Sequence, residues 1–246
     1  GYAHGYLLAR EIMDLFRRYM AFVVRDPDRY ENVIRRDVRE RFAFPKDIEA
    51  ELDGMLAGIR DRLGEDGVRT QFGRPLDDLD LRAVQALPDW YPFACAAFVA
   101  WGDLAPTGAI AGRNMDFFVP PVLLENHLLI VNARRGKTPA HLSLTWPSMV
   151  GSLTGLNEHG VAAFILDAAP AYETDKRGLV ARTIAARRIV EEADVKRPAA
   201  SAYEMLEDVP TRWGGNVFVA GPKAGAVDGG AGVLERDARG TSLRTA

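Results

Sequence analysis

Along the first quarter of the chain, apolar residues return every three or four positions. Leu7, Leu8, Ile12, Leu15, Phe16, Tyr19, Met20 and Val23 fall on one face at helical spacing. Ile48, Leu52, Met55, Leu56, Ile59 and Leu63 repeat the stripe after Pro45, and Gly64 stops it. The spacing predicts two amphipathic helices, with a charged stretch from Arg25 to Arg41 between them. Residues 64–89 are rich in Gly, Asp and Arg and read as connecting chain with one short helix at most.

At Cys95 the period changes. Cys95–Trp101 and Ala109–Phe118 are apolar runs on either side of Gly102-Asp103 and Pro106-Thr107-Gly108, which is a hairpin pattern. Further strands are predicted at His127–Asn132, His141–Trp146, Val150–Thr154, Val161–Leu166, Asn216–Ala220, Gly232–Arg236 and Thr241–Arg244. Helices are predicted at Arg177–Ala193 and Ala199–Leu206. Strands in sequence with helices in a block point to an α+β layered fold rather than alternating βαβ units. Gly1 opens in mid-pattern and Ala246 follows Ser242-Leu243-Arg244 as if a strand were still running, so both ends read as cut.

Charge and composition then remove several function classes. The 246 residues carry a formal charge of −3, against nucleic-acid binding, which needs a clustered basic face. No apolar run approaches the roughly 18 residues of a membrane span. His4, His127, His141 and His159 lack HExxH or CxxC spacing, so zinc is not expected, and no metal or organic cofactor is otherwise implied. Cys95 is the only cysteine, so no intrachain disulfide can form and the compartment stays unread.

Three stretches carry candidate chemistry. Cys95 stands at the start of a strand, where a nucleophile stays open on one side; a small buried hydrophobe is the alternative. Gly112-Arg113-Asn114-Met115-Asp116 brings charges into an apolar hairpin strand, where burial is costly unless they are paired. Arg113 and Asp116 are three apart, so a regular strand turns them to opposite sides; a solvated hairpin end is the alternative. Thr154-Gly155-Leu156-Asn157-Glu158-His159-Gly160 is either ordinary turn chemistry or a turn that presents the Asn157 amide to an oxyanion. Trp90, Tyr91, Phe93 and Phe98 around Cys95 fit a core or an acyl pocket equally.

Taken in order, Cys-Ala-Ala-Phe-Val-Ala-Trp-Gly, Gly-Arg-Asn-Met-Asp-Phe and Thr-Trp-Pro-Ser-Met-Val-Gly-Ser-Leu-Thr-Gly-Leu-Asn-Glu-His-Gly resemble the penicillin acyltransferase (isopenicillin N acyltransferase-like) peptidase family of N-terminal-nucleophile hydrolases. The bile-salt hydrolase and acid-ceramidase-like branches are more distantly similar. The opening Gly-Tyr-Ala-His-Gly-Tyr-Leu-Leu-Ala-Arg-Glu-Ile resembles that family's first helix. The resemblance implies a four-layer αββα sandwich and a zymogen that cuts itself between Ala94 and Cys95. It implies that Cys95 is the nucleophile and supplies the α-amino base, that Arg113 and Asp116 flank the new terminus, and that Asn157 is the oxyanion donor. Residues 1–94 would be a helical pro-segment that stays bound, and 95–246 the catalytic core with its C-terminal part missing. The family's Thr-Asn-His-like segment has no counterpart after Val233-Leu234-Glu235, and Ala94 stands where a glycine is often found.

The chemistry is consistent in itself. A free α-amine titrates near about 8 and is partly unprotonated at neutral pH, so it can take the proton of its own residue's thiol. The reaction implied is hydrolysis or transfer of the acyl group of a small N-acyl or amide substrate through a Cys95 thioester. Partners are then that substrate and the pro-segment, with no nucleic acid and no membrane span; homo-oligomerisation and localisation are left open. Two other readings stand beside it: a papain-like Cys–His hydrolase drawing on His127, His141 or His159, and a truncated or degenerate relative kept as a binding module.

Overall fold

The computed structural model describes residues 1–91, 94–106, 109–116, 120–168, 174–212, 214–222, 224 and 230–245. Phe93, the Thr107-Gly108 part of the hairpin turn and the Phe117-Phe118 end of its second strand lie outside them. The chain mixes helices with antiparallel sheet, an α+β fold, and divides into two compact units. One comprises Gly1–Leu87, Phe118–Leu128 and Trp146–Val150; the other comprises Pro88–Phe117, Leu129–Thr145 and Gly151–Ala246. Residues from Pro88 onward belong to the second unit. No helix is long and apolar enough to cross a membrane among the described residues.

The first unit is helical. Residues 2–23 follow the predicted stripe, with a π-helical turn at Leu15–Met20. The charged stretch, where periodicity gave no helix, is helical from Pro27 to Arg41. Its start is set by Asp26, whose carboxylate accepts from the Asp28 and Arg29 amides, with Pro27 pre-shaped for the first turn. The Lys46–Leu63 helix buries Ile48, Leu52, Met55, Leu56 and Ile59 as predicted. It packs against the Tyr2–Leu7 helix backbone to backbone. A Cβ on Gly5 would lie 2.0 Å from the Met55 carbonyl oxygen, and one on Gly58 would lie 2.2 Å from that of Tyr2. The short helix Asp78–Gln85 opens with a reciprocal Asp77–Asp80 capping box. Arg35 and Arg74 both bond to Asp80. Against the upward push of burial, the Arg35 hydrogen bonds hold the Asp77 carboxyl down to about 2.

In the second unit, β1 (Ala94–Ala100) and β2 (Ile110–Asp116) form an antiparallel hairpin. A separate seven-stranded sheet follows chain order: β3 (Leu128–Asn132), β4 (His141–Thr145), β5 (Thr154–Asn157), β6 (Ala162–Asp167), β7 (Gly215–Ala220), β8 (Ala231–Asp237) and β9 (Gly240–Thr245). Helices Arg182–Glu192 and Pro198–Leu206 cover one face through Val161, Ala163, Ile189, Val190, Val217, Val219 and Leu234. The hairpin lies on the other face, where Ala97, Val99 and Ala111 pack on Ala162, Phe164 and Phe218. Hairpin, sheet and helices make three layers in this unit. On the hairpin's outer face Phe98 is 57% and Ile110 54% exposed.

Two predicted elements begin late. The strand expected from Val150 starts at Thr154, because the Ser152 amide bonds to the Thr183 carbonyl rather than to a neighbouring strand. The helix expected from Arg177 starts at Arg182, after Gly178 turns the chain at φ +76°.

Candidate active site

Strand alternation decides which side chains of the hairpin meet the sheet. In β1, Cys95, Ala97 and Val99 are the more covered set, while Ala94, Ala96 and Phe98 are exposed. Across the ladder Cys95 pairs with Met115 and Ala97 with Arg113, so Arg113 is the inward diagonal neighbour of Cys95. Its Nη2 donates to Cys95 Sγ at 3.2 Å and to the Ile165 carbonyl at 2.9 Å. Its Nη1 donates to Thr154 Oγ1 at 3.2 Å. One guanidinium thus joins the hairpin to β5 and β6, and none of these acceptors is a carboxylate. Its positive charge faces the sulfur. Cys95 itself is half-buried and remains reachable.

The other expected residues are not gathered at the sulfur. Asp116 ends β2 on the exposed outer face, opposite Ala94, as its three-residue offset from Arg113 dictates. Asn157 is engaged elsewhere. Its Nδ2 donates to the Val190 carbonyl at 2.8 Å, and its Oδ1 accepts from the His159 and Val161 amides at 3.0 and 2.9 Å. Thr154 faces Arg113, and Asn157, an odd number of residues on, faces the Arg182–Glu192 helix. The amide expected to serve an oxyanion braces a turn on the far side of the sheet.

The histidines do not form a pair with Cys95 in any described hydrogen bond. His141 is buried opposite Asn157 in the ladder, with Nδ1 3.2 Å from the Pro139 carbonyl oxygen and Nε2 3.7 Å from Glu191. That His–carboxylate pair lies on the helix-covered face, away from the hairpin. His127 stacks on Trp146. Among the described residues no three His, Cys, Asp or Glu side chains come together to hold a metal. A 540 Å³ cleft at the ends of β6–β9, lined by Asn216, Glu235, Arg236, Thr241 and Ser242 among others, does not include Cys95.

Sequence reasoning missed Thr154 and a group of buried charges. Arg182 forms an ion pair with Asp167 at the end of β6, and its Nε lies 3.4 Å from Asp89 Oδ1. Burial pushes the Asp89 carboxyl up to about 6, and burial also raises Asp167. Burial lowers Arg236 to about 10. The signal was present: Arg182 interrupts the apolar run Leu179, Val180, Thr183, Ile184, where a charge needs a built-in partner.

No protein-family model matches the chain, and no curated protein matches it. Among solved structures it is similar to a Caenorhabditis elegans N-acylethanolamine-hydrolyzing acid amidase ortholog, with 17% identity and a TM-score of 0.45. The match covers 61% of this chain and 62% of that one.

Proposed function

We propose that this protein is an amide hydrolase or acyltransferase whose nucleophile is Cys95, exposed as a chain terminus by scission of the Ala94–Cys95 bond. The observation that carries the reading is the Arg113 guanidinium held 3.2 Å from Cys95 Sγ by Ile165 and Thr154. A buried structural cysteine has no use for such a contact.

In maturation, Sγ attacks the Ala94 carbonyl carbon. The Ala94–Cys95 C–N bond breaks, the thiol proton passes to the departing nitrogen, and an Ala94 thioester forms. Water adds to that carbonyl and releases the Ala94 carboxylate, the free thiol and the Cys95 α-amine. In turnover the α-amine takes the thiol proton as Sγ attacks a linear N-acyl amide, then returns it to the leaving amine. Water or an acceptor amine resolves the acyl thioester. Asp116, across the ladder from Ala94, is the acid nearest in the ladder to the new terminus and in this reading orients the amine. A four-layer αββα sandwich belongs to the proposal: the exposed Phe98 and Ile110 face of the hairpin is what an outer helical layer would cover.

Intact mass and N-terminal sequencing of aged, folded protein test the reading. Wild type splits into two fragments, the larger beginning at Cys95, while Cys95→Ala stays at 27.0 kDa. A wild-type chain that stays whole and turns over no amide refutes it. One observation favours a second reading, a non-catalytic binding module: the Asn157 amide is spent on Val190 and its own turn. That reading requires the whole chain to persist.

A further inference from the structure

The chain entering Cys95 is gripped before it reaches the strand. Arg182 Nη2 bonds to the Pro88 carbonyl, and the Arg182 amide bonds to Asp89 Oδ2 at 3.2 Å. The Asp89 carboxylate thereby caps the Arg182–Glu192 helix, whose own N-cap residue, Ala181, contributes no side-chain bond. Arg212 Nη1 donates to the Asp89 carbonyl at 3.1 Å, and its guanidinium carbon lies over the Trp90 ring, 3.4 Å from the centroid. Gly215 keeps the space open for this: a Cβ there would sit 2.6 Å from Arg182 Nη1. Two arginines from different segments thus take hold of three consecutive residues, through backbone oxygens, a carboxylate and a ring.

Resting on the self-cleavage reading, we infer that Arg182 and Arg212 are positioning residues for that scission, clamping residues 88–90 so that the chain is fixed on both sides of the Ala94–Cys95 bond. Downstream, the β1–β2 ladder and the Arg113 contact fix Cys95. Upstream, Ala94 is the end residue of that ladder, opposite Asp116, and free chain before it would let the scissile carbonyl vary in its approach to the sulfur; a displacement of about 1 Å can cost roughly a hundredfold in rate. The clamp leaves only residues 91–93 between the two anchors. It makes no described contact with the sulfur, so in this reading it acts on the position of the scissile bond and not on the thiol itself. The same bonds hold the tail ending at Ala94 once the peptide bond is gone.

The test follows scission by intact mass in the full chain, for wild type, Arg212→Gln and Trp90→Leu. Both variants are expected to split at least about tenfold more slowly. Their Cys95 alkylation rate, and the turnover per molecule already cut, are expected to match wild type; a merely structural loss would move all three. Arg212→Lys, which keeps the charge without the flat face, is expected to restore only part of the rate. Wild-type scission rates in folded Arg212→Gln and Trp90→Leu overturn the clamp alone. A wild type that never splits overturns the self-cleavage reading and the clamp with it. Should both variants fail to fold, hydrogen exchange on wild type decides: slow exchange at Trp90 and Tyr91 supports the clamp, and exchange at free-chain rates overturns it.

Discussion

Replacing Arg113 by Met removes the guanidinium while keeping most of the stem that packs between hairpin and sheet. Three hydrogen bonds go with it: to Cys95 Sγ, to the Ile165 carbonyl and to Thr154 Oγ1. Losing the one to sulfur should slow alkylation of Cys95 at neutral pH roughly 3- to 10-fold, because a thiolate freed of its donor is also the stronger nucleophile and offsets part of the loss. Ile165 is 1% exposed, and leaving its carbonyl without this donor should separately cost about 1–3 kcal/mol of stability. Cys95 is the only cysteine, so iodoacetamide alkylation read by mass reports on this one sulfur without correction. Arg113→Lys serves as the comparison, restoring charge but only one of the three bonds at a time, and should fall between the two. If folded Arg113→Met alkylates within about twofold of wild type, the guanidinium does not tune the sulfur and the site as drawn is wrong.

Three further outcomes follow from the geometry. Asn157→Ala should lower unfolding stability by about 2–3 kcal/mol in denaturant titration, since three modest hydrogen bonds are lost, and should leave acylation per folded molecule nearly unchanged; a large fall in activity without a fall in stability would return it to the oxyanion role. Gly58→Ala should destabilise by about 1–3 kcal/mol or more in thermal melts, because its methyl would collide with backbone rather than a yielding side chain. Asp89 titrates at about 6 in the fold against an ordinary value near 4, chiefly through burial, so the native state binds its proton first. Its contribution is present in full below pH about 4 and is lost as pH rises through about 6; the wild-type minus Asp89→Asn stability difference should fall across that window, and a flat difference would contradict it.

Much of the fold could be read from pattern. The Ile48–Leu63 stripe, the hairpin after Ala94 and the strands at His141–Thr145, Ala162–Asp167, Gly215–Ala220 and Ala231–Asp237 stand close to where periodicity put them, because apolar burial decides those positions. Failures fall where another force decides. Helix at 27–41 is set by one capping carboxylate and by ion pairs, to which an apolar count is blind. Thr154–Asn157 starts late because the preceding backbone is drawn to Thr183. At the site, Cys95 and Arg113 meet because an even spacing across a hairpin register keeps them on one side. Asn157 lies an odd number of residues from Thr154, which turns its side chain to the opposite face of the sheet, a relation that became readable only once Thr154 was seen to face Arg113. The grip on Pro88–Trp90 joins residues about a hundred positions apart, and no local window contains it.

The strand that carries the sulfur belongs to a two-stranded ribbon that, among the described residues, has no ladder bonds to the seven-stranded sheet beneath it. An isolated ribbon of that kind is marginal in water and borrows its permanence from side-chain packing and from one guanidinium. Its amides should therefore open in local excursions far smaller than global unfolding, while those of β6–β8 exchange only when the whole unit comes apart. The position of Cys95 would then rest on the hairpin's own ladder and on the Arg113 bonds, and loosening either should unsettle the sulfur without disturbing the sheet.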